Sequence, residues 1–375
     1  MSEHQVAIVG AGTSGVAAAV ALADRGINPL LIDRADQVGS SWHTRYDRLR
    51  LNTGRQFSHL PNRPYPKGTP TFPTREQVIE HLERHARADG IELRLGCPVE
   101  RLDLTDGHWR LTTAAGSVDA AEVVVATGFD HEPFVPDWPG RGDWRGALVH
   151  SSQYRNPSQY NGKRVLVVGA GCSGMEIAYD LATGGAAKVW LSARTPPNIM
   201  LRQGPGGMPG DFIATPLYHA PVPIADAIAR FGRERSIGDL REFGLPIPDE
   251  GIFARSARLG VAPAIVDKEL IAAIRDRSIE VVRGVESLDA DSVWLVDGVR
   301  IDPEAMVCAT GFRQELEKLV GHLGVLDERG WPHATGEKPA AERLRFIGFV
   351  PRPSQIGFAA KQARRAARAI ARELR

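Results

Sequence analysis

Two Gly-x-Gly-x-x-Gly turns, each after a short apolar strand and before a helix, predict an α/β chain of two nested Rossmann-like dinucleotide-binding domains. A third observation agrees. Strand-rich segments follow both turns, and each ends in Ala-Thr-Gly-Phe, at 126–129 and again at 309–312.

In chain order, the apolar run Val6–Val9 leads into Gly10, Gly12 and Gly15. A helix from about Ser14 to Arg25 follows, Gly26 stops it, and a second strand ends at Asp33, completing a βαβ unit. Five prolines between Pro61 and Pro73 predict a stiff surface loop. Thr74 and Gln77 then form a capping box for a helix through about Ala88. Residues 91–126 read as short strands, with turns at Asp106-Gly107 and Ala115-Gly116.

The second βαβ unit is strand Arg164–Val168, glycines Gly169, Gly171 and Gly174, helix Ser173–Ala182 and strand Lys188–Leu191. Residues 196–223 are Pro- and Gly-rich and read as mostly irregular, whereas 224–243 and 267–276 read as helical. At the C-terminal end, Ala363, Ala366, Ala367, Ile370, Ala371 and Leu374 keep helical spacing beneath a basic, solvated face. This order places the first domain at 1–155 and 305–375, and the second at 156–304 with an irregular insert at about 196–265.

Composition narrows the classes. The 375 residues carry 46 basic against 45 acidic side chains, so no net field points to nucleic acid or an anionic membrane. No apolar stretch reaches the ~20 residues a bilayer-spanning helix needs, and the apolar start is too short for a signal peptide. Cys97, Cys172 and Cys308 form no CxxC, which argues against a disulfide framework or a metal site and for a reducing, cytoplasmic setting.

The glycines carry the chemistry. The first allows a tight turn, the second a close backbone approach to a pyrophosphate, and the third close helix–strand packing. The pyrophosphate would then lie on the helix N-terminus, where free N–H groups favour anions. Ser14 and Ser173, beside the last glycine of each set, belong with them. Asp33 closes the second strand of the first unit, where a carboxylate can accept both ribose hydroxyls. Arg194 stands at the corresponding end of the second unit, where a guanidinium suits a 2′-phosphate. Two such sites imply FAD in the first and NADPH in the second. A redox cysteine pair to receive the electrons is missing, which leaves O2 or a small oxidant.

Between the two units, Trp144, Gly146, His150 and Tyr154 match the spacing FxGxxxHxxx(Y/F), with Trp for Phe. On these residues the chain resembles the flavin-containing monooxygenases, closest to their short bacterial branch and to YUCCA-like enzymes. No Trp-Pro follows the histidine interval, unlike in Baeyer–Villiger relatives. The resemblance implies that Ser41 and Trp42 face the flavin, that Asn52 stands beside flavin and NADP, and that Thr127, Gly128 and Gly311 lie in linkers crowding the FAD. Trp144, Gly146, His150 and Tyr154 would then shape the domain junction.

It further implies that O2 adds to reduced FAD, giving a hydroperoxide whose distal oxygen goes to a small soft nucleophile, an amine nitrogen or a sulfide sulfur. Asn52, able to donate and accept, would stabilise that peroxyflavin. The implied partners are a small-molecule substrate and O2, with no nucleic acid or membrane, and a homodimer left open. The alternatives are a YUCCA-like oxidative decarboxylase of an α-keto acid, an NADPH oxidase or reductase without oxygen insertion, and a flavin-binding sensor without turnover.

Overall fold

The computed structural model describes residues 4–88, 90–350 and 354–375. The chain divides into two compact units, one of Met1–Thr44, Gly54–Glu132 and Phe312–Arg375, the other of Arg45–Thr53 and Pro133–Gly311.

The first unit is built on a sheet whose parallel part runs Glu92–Arg94, Leu30–Ile32, His4–Val9, Gly116–Val125, Leu344–Phe346. The central strands bury their apolar residues on both faces, as parallel strands covered by helices do, while the edge strand Glu92–Arg94 is polar and partly exposed. The long strand Gly116–Val125 serves two sheets' worth of partners. Its second half joins the parallel set, and its first half pairs antiparallel with His108–Thr113, which pairs with Val99–Thr105. Asp106 and Gly107, with φ of 52° and 80°, make the tight turn of that meander, both in the left-handed region such hairpins require. The helix Arg75–Ala86 carries the expected capping box, with Thr74 and Gln77 each satisfying the other's backbone N–H.

The second unit repeats the parallel order with Glu280–Val282, Lys188–Ser192, Arg164–Val168, Ala305–Cys308 and Ala147–His150. A small antiparallel meander, 285–301, sits in the place of the first unit's meander. This pairing moves the unit boundaries from the 155/156 and 304/305 read in the sequence to 132/133 and 311/312. The reason is that Ala147–His150 is an edge strand hydrogen-bonded to Ala305–Cys308, which sits beside Arg164–Val168.

The segment read as irregular at 196–223 contains strand Ile199–Leu201 and helix Asp211–Leu217. The strand's parallel partner, Ala264–Val266, lies far along the chain, so local pattern could not reveal the pair. The helices read near 224–243 and 267–276 span Val222–Ser236 and Lys268–Arg275. The final helix, Gln355–Glu373, buries Ala363, Ala366, Ala367 and Ile370 while Arg364, Arg365, Arg368 and Arg372 face solvent. Among the described residues no helix is long and apolar enough to cross a membrane, and no cluster of three His, Cys, Asp or Glu side chains could hold a metal ion.

Candidate functional site

Each unit presents its own glycine turn at the C-terminal edge of its parallel sheet, and the two turns have the same geometry. Gly10 and Gly169 adopt φ of 108° and 111°, left-handed values that a side chain would strain. A Cβ on either would lie 2.7 Å from the carbonyl oxygen of Ala126, or 2.4 Å from that of Ala309, so each Ala-Thr-Gly-Phe segment packs directly on its own unit's first glycine. A Cβ on Gly15 would sit 1.7 Å from Gly10 O, and one on Gly174 1.8 Å from Gly169 O. These close approaches seat each helix against its turn. Gly12 and Gly171 differ. Their backbones are extended, and a Cβ on either would have nothing within 4 Å. The open space therefore lies where a ligand's phosphates would reach the free N–H groups of helices Thr13–Ala23 and Cys172–Thr183.

In the first unit Asp33 follows the second strand as predicted. Its two carboxylate oxygens accept from the backbone N–H of Ala11 and of Ala35, so this side chain also ties the glycine turn to its neighbour. Each oxygen keeps a further lone pair for a ribose hydroxyl. Ser41 and Trp42 lie in the single helical turn Ser40–His43, brought to the same place because Gly39 N–H donates to Ala11 O and Trp42 Nε1 donates to Thr13 Oγ1 at 3.1 Å. Thr127 Oγ1 is buried with no hydrogen-bond partner among the described residues. Its Cα is 3.0 Å from where a Gly10 Cβ would stand, so an unsatisfied hydroxyl and an open phosphate cradle share one neighbourhood. A dinucleotide fits both. Gly348 was missed in the sequence. Its backbone approaches Ser14 so closely that a Cβ would lie 2.1 Å from the serine Oγ, and its φ of 90° is the one local signal.

In the second unit a cavity of about 390 Å³ opens over the glycine turn, lined by Gly169, Ala170, Gly171 and Ser192 and, from further along the chain, by Arg194 and Arg255. Arg194 is exposed at the end of strand Lys188–Ser192, as predicted. Arg255, on helix Ile252–Leu259, is a second guanidinium that the sequence reading missed. No acidic side chain lines this cavity among the described residues. Two arginines without a competing carboxylate fit the phosphates of a dinucleotide, including one at the 2′ position. Insert residues Asn198, Ile252 and 261–264 also line it, together with Phe134, Trp138, Val285 and Thr310.

Trp144, Gly146, His150 and Tyr154 all fall within the second unit. His150 is 3% exposed, with Nε2 3.0 Å from Gly311 O and Nδ1 2.9 Å from Ser152 Oγ. Tyr154 is fully buried and donates to Asp180 Oδ2 at 2.8 Å. Burial and the neighbouring Asp180 both raise its pKa, so it stays a phenol donor. Gly146 is required by Trp144, because a Cβ there would come within 2.4 Å of the indole. Gly311 lies in the second unit, where its carbonyl also accepts from Phe134 N.

Asn52 belongs to the second unit too, and its Oδ1 accepts from Arg202 Nη2 at 2.9 Å. Arg202 is 1% exposed and is paired with Glu176 and with Asp267 at 3.2 Å, while Tyr46 donates to the other oxygen of Glu176. Burial raises the pKa of Glu176 and the Arg202 charge opposes that rise. Burial likewise raises Tyr46 strongly. This network was not read from the sequence. Its one visible signal is Glu176, an acid in the first turns of a largely apolar helix.

The cysteines provide no dithiol. All three are free, and burial pushes the thiol of Cys172 up to about 11 and that of Cys308 up to about 12, so both are inert at neutral pH.

Comparison with known proteins agrees with this geometry. Residues 7–199 match the family described as pyridine nucleotide-disulphide oxidoreductase. The chain is 35% identical over 326 residues to indole-3-pyruvate monooxygenase YUCCA1 of Oryza sativa subsp. japonica, covering 86% of this chain and 80% of that protein. It is 33% identical over 364 residues to probable indole-3-pyruvate monooxygenase YUCCA8 of Arabidopsis thaliana, covering 92% and 83%. In fold it is similar to the flavin-containing monooxygenase of Stenotrophomonas maltophilia, with a TM-score of 0.75 at 20% identity over 100% and 99% of the two chains. It is also similar to the bacillithiol disulfide reductase of Bacillus cereus, with a TM-score of 0.71 at 18% identity over 99% and 100%. The duplicated nucleotide turns, the missing dithiol and this extent of identity together place the chain in the flavin-containing monooxygenase family, oxidoreductases whose cofactors are FAD and NADPH.

Proposed function

We propose that the chain draws two electrons from NADPH, through FAD, to insert one atom of O2 into an α-keto acid with loss of CO2. The observation that carries the NADPH assignment is the second unit's cavity, where Arg194 and Arg255 stand over an open glycine turn with no acid among the lining residues. The substrate class is supported by the relatives, which are named for a keto acid and match most of the chain. On that support the keto acid is proposed ahead of the amine or sulfide expected from the sequence.

FAD, when bound, supplies the two-electron carrier between nicotinamide and O2. The chain's own residues bind and orient. In this reading the first unit is the FAD domain, and Gly12, Ser14 and the N–H groups of helix Thr13–Ala23 hold the pyrophosphate. Gly10, Gly15 and Gly128 let the backbone close on the cofactor, Asp33 takes the ribose, and Thr127 uses its unsatisfied hydroxyl. Ser41 and Trp42 border the same place. The second unit is the NADPH domain, with Gly169, Gly171, Ser173 and Gly174 at the pyrophosphate and Arg194 at the 2′-phosphate. Trp144, Gly146, His150 and Tyr154 brace the strand and loop that end in Gly311. Asn52 would offer its amide to a bound ligand, its Oδ1 being held by Arg202. The overall change balances as keto acid, O2, NADPH and H⁺ to the shortened acid, CO2, NADP⁺ and water.

A second reading keeps the soft nucleophile. It is favoured by Asn52, which the resemblance to flavin-containing monooxygenases implies beside flavin and NADP. Incubation of the FAD-loaded protein with NADPH and ¹⁸O2 separates the readings. An aryl keto acid is expected to yield CO2 and a shortened acid carrying one ¹⁸O. A labelled sulfoxide from a thioether, with the keto acid untouched, would select the second reading. Peroxide equal to the NADPH consumed, with no labelled product from either, would overturn both.

Arg194→Ala is expected to raise the KM for NADPH about 10- to 100-fold, the worth of a charged hydrogen-bonded pair, and to leave that for NADH nearly unchanged. Steady-state rates with the two nucleotides check this.

A further inference from the structure

The sequence leaves open which end of the Asn52 amide is available, because a carboxamide donates from one end and accepts at the other. The structure removes that freedom. A guanidinium carries only donors, so the amide atom 2.9 Å from Arg202 Nη2 has to be the oxygen. Nδ2 then lies on the opposite side of the amide, and among the described residues it donates to nothing.

Arg202 cannot readily turn away. It is 1% exposed, its Nη1 donates to Asp267 Oδ2 at 3.2 Å, and its Nη2 also reaches Glu176 Oε1. Arg50 shares Asp267 at 2.6 Å from the exposed side, so two guanidinium groups face the two carboxylates. Tyr46 holds the second oxygen of Glu176. Glu176 in turn stands in the first turns of helix Cys172–Thr183, directly after the second glycine set. A continuous chain of charge-assisted hydrogen bonds therefore runs from the nucleotide-binding helix through Glu176 and Arg202 to Asn52.

We propose that Arg202 is a positioning residue that locks the Asn52 carboxamide with Oδ1 inward, so that Asn52 offers a ligand only a pair of N–H donors. The fitting ligand atom is an acceptor, an oxygen gaining negative charge or a carbonyl of the nicotinamide. The proposal deepens the role given to Asn52 above and rests on it.

Three variants of the full-length, FAD-loaded protein test it. They are Asn52→Asp, Arg202→Lys and the double replacement. Asn52→Asp keeps an acceptor for Arg202 but loses the donors. Arg202→Lys keeps the charge but loses the planar fork that fixes the amide. Two readouts are taken, the Kd for NADP⁺ from the change it causes in the flavin absorbance, and the ratio of oxygenated product to NADPH consumed. FAD content and melting temperature control for folding.

Both single variants are expected to weaken NADP⁺ about tenfold and to lower the ratio, and the double variant to go no further. Losses that multiply in the double variant, or an unchanged Arg202→Lys beside an impaired Asn52→Asp, would overturn the positioning role and leave Asn52 itself standing. An unchanged Asn52→Asp would overturn the Asn52 reading and the positioning role with it. Should Arg202→Lys shed its FAD, Glu176→Gln loosens the same guanidinium without removing it and carries the same expectations.

Discussion

Gly12→Val is expected to leave the first unit folded and to abolish its FAD loading, whereas Gly15→Ala, a smaller change three residues on, is expected to unfold the turn. The contrast follows from what each side chain would meet. At Gly12 the backbone is extended, with φ of −78° and ψ of −171°, which valine adopts without strain, and the new Cβ meets no protein atom within 4 Å. The isopropyl group then occupies the space through which a pyrophosphate must approach the helix N-terminus. At Gly15 the Cβ would fall 1.7 Å from the carbonyl oxygen of Gly10, a backbone atom that cannot turn aside. Separating helix from turn at that point costs more than about 3 kcal/mol. Purification of both variants, with flavin quantified by absorbance and folding by circular dichroism, checks the pair. A Gly12→Val protein with a full complement of FAD would remove the first glycine turn from the cofactor site.

Arg345→Met is expected to destabilise the first unit by about 3–5 kcal/mol, the typical loss when one member of a buried ion pair is removed. Arg345 and Glu122 are both wholly buried and 2.7 Å apart, and the same guanidinium holds Glu373 from the final helix and the carbonyl of Glu337. The variant leaves Glu122 buried without its counter-charge. The effect has a pH signature. Burial, with a contribution from Glu373, already pushes the Glu122 carboxyl up to about 7 against the lowering pull of Arg345. A carboxyl whose folded pKa lies above its unfolded value binds more protons when folded, so its contribution is complete below about pH 4.5 and declines as pH rises through 7. Without Arg345 the folded pKa rises further and the decline extends to higher pH. The loss in melting temperature, roughly 10 °C at neutral pH, is therefore expected to be smaller at pH 5 than at pH 8. Calorimetric scans at the two pH values measure it, and an equal loss at both would show that Glu122 stays ionised without its partner.

Much of the fold was legible because its signals are local. A tight turn at Gly10 and Gly169, a helix seated on Gly15 and Gly174, the capping box of Thr74 and Gln77, and the Asp106-Gly107 hairpin each follow from a few adjacent residues. The same holds for Asp33 and Arg194, which lie at the strand ends that the βαβ spacing assigns to them. What escaped depends on residues far apart in the chain. Strand Ile199–Leu201 exists through its pairing with Ala264–Val266, and in isolation its sequence is three apolar residues in a Pro- and Gly-rich stretch. Ala147–His150 and Arg45–Thr53 were read with the first domain because they precede the second glycine set, but their partners are Ala305–Cys308 and Arg202.

Glycine spacing, strand ends and cysteine positions need no distant partner to be read, and they already point to a doubly nucleotide-binding α/β chain without a CxxC dithiol. Only the tertiary structure decided how its polar groups are used. It brought Arg255 to the cavity of Arg194, placed Gly311 with the second glycine turn, and turned the Asn52 amide oxygen onto Arg202. The physical reason is that a buried charge must find its counter-charge wherever the fold can supply one. Arg202 found Glu176 and Asp267, and the remaining donor of its guanidinium fork set the orientation of Asn52.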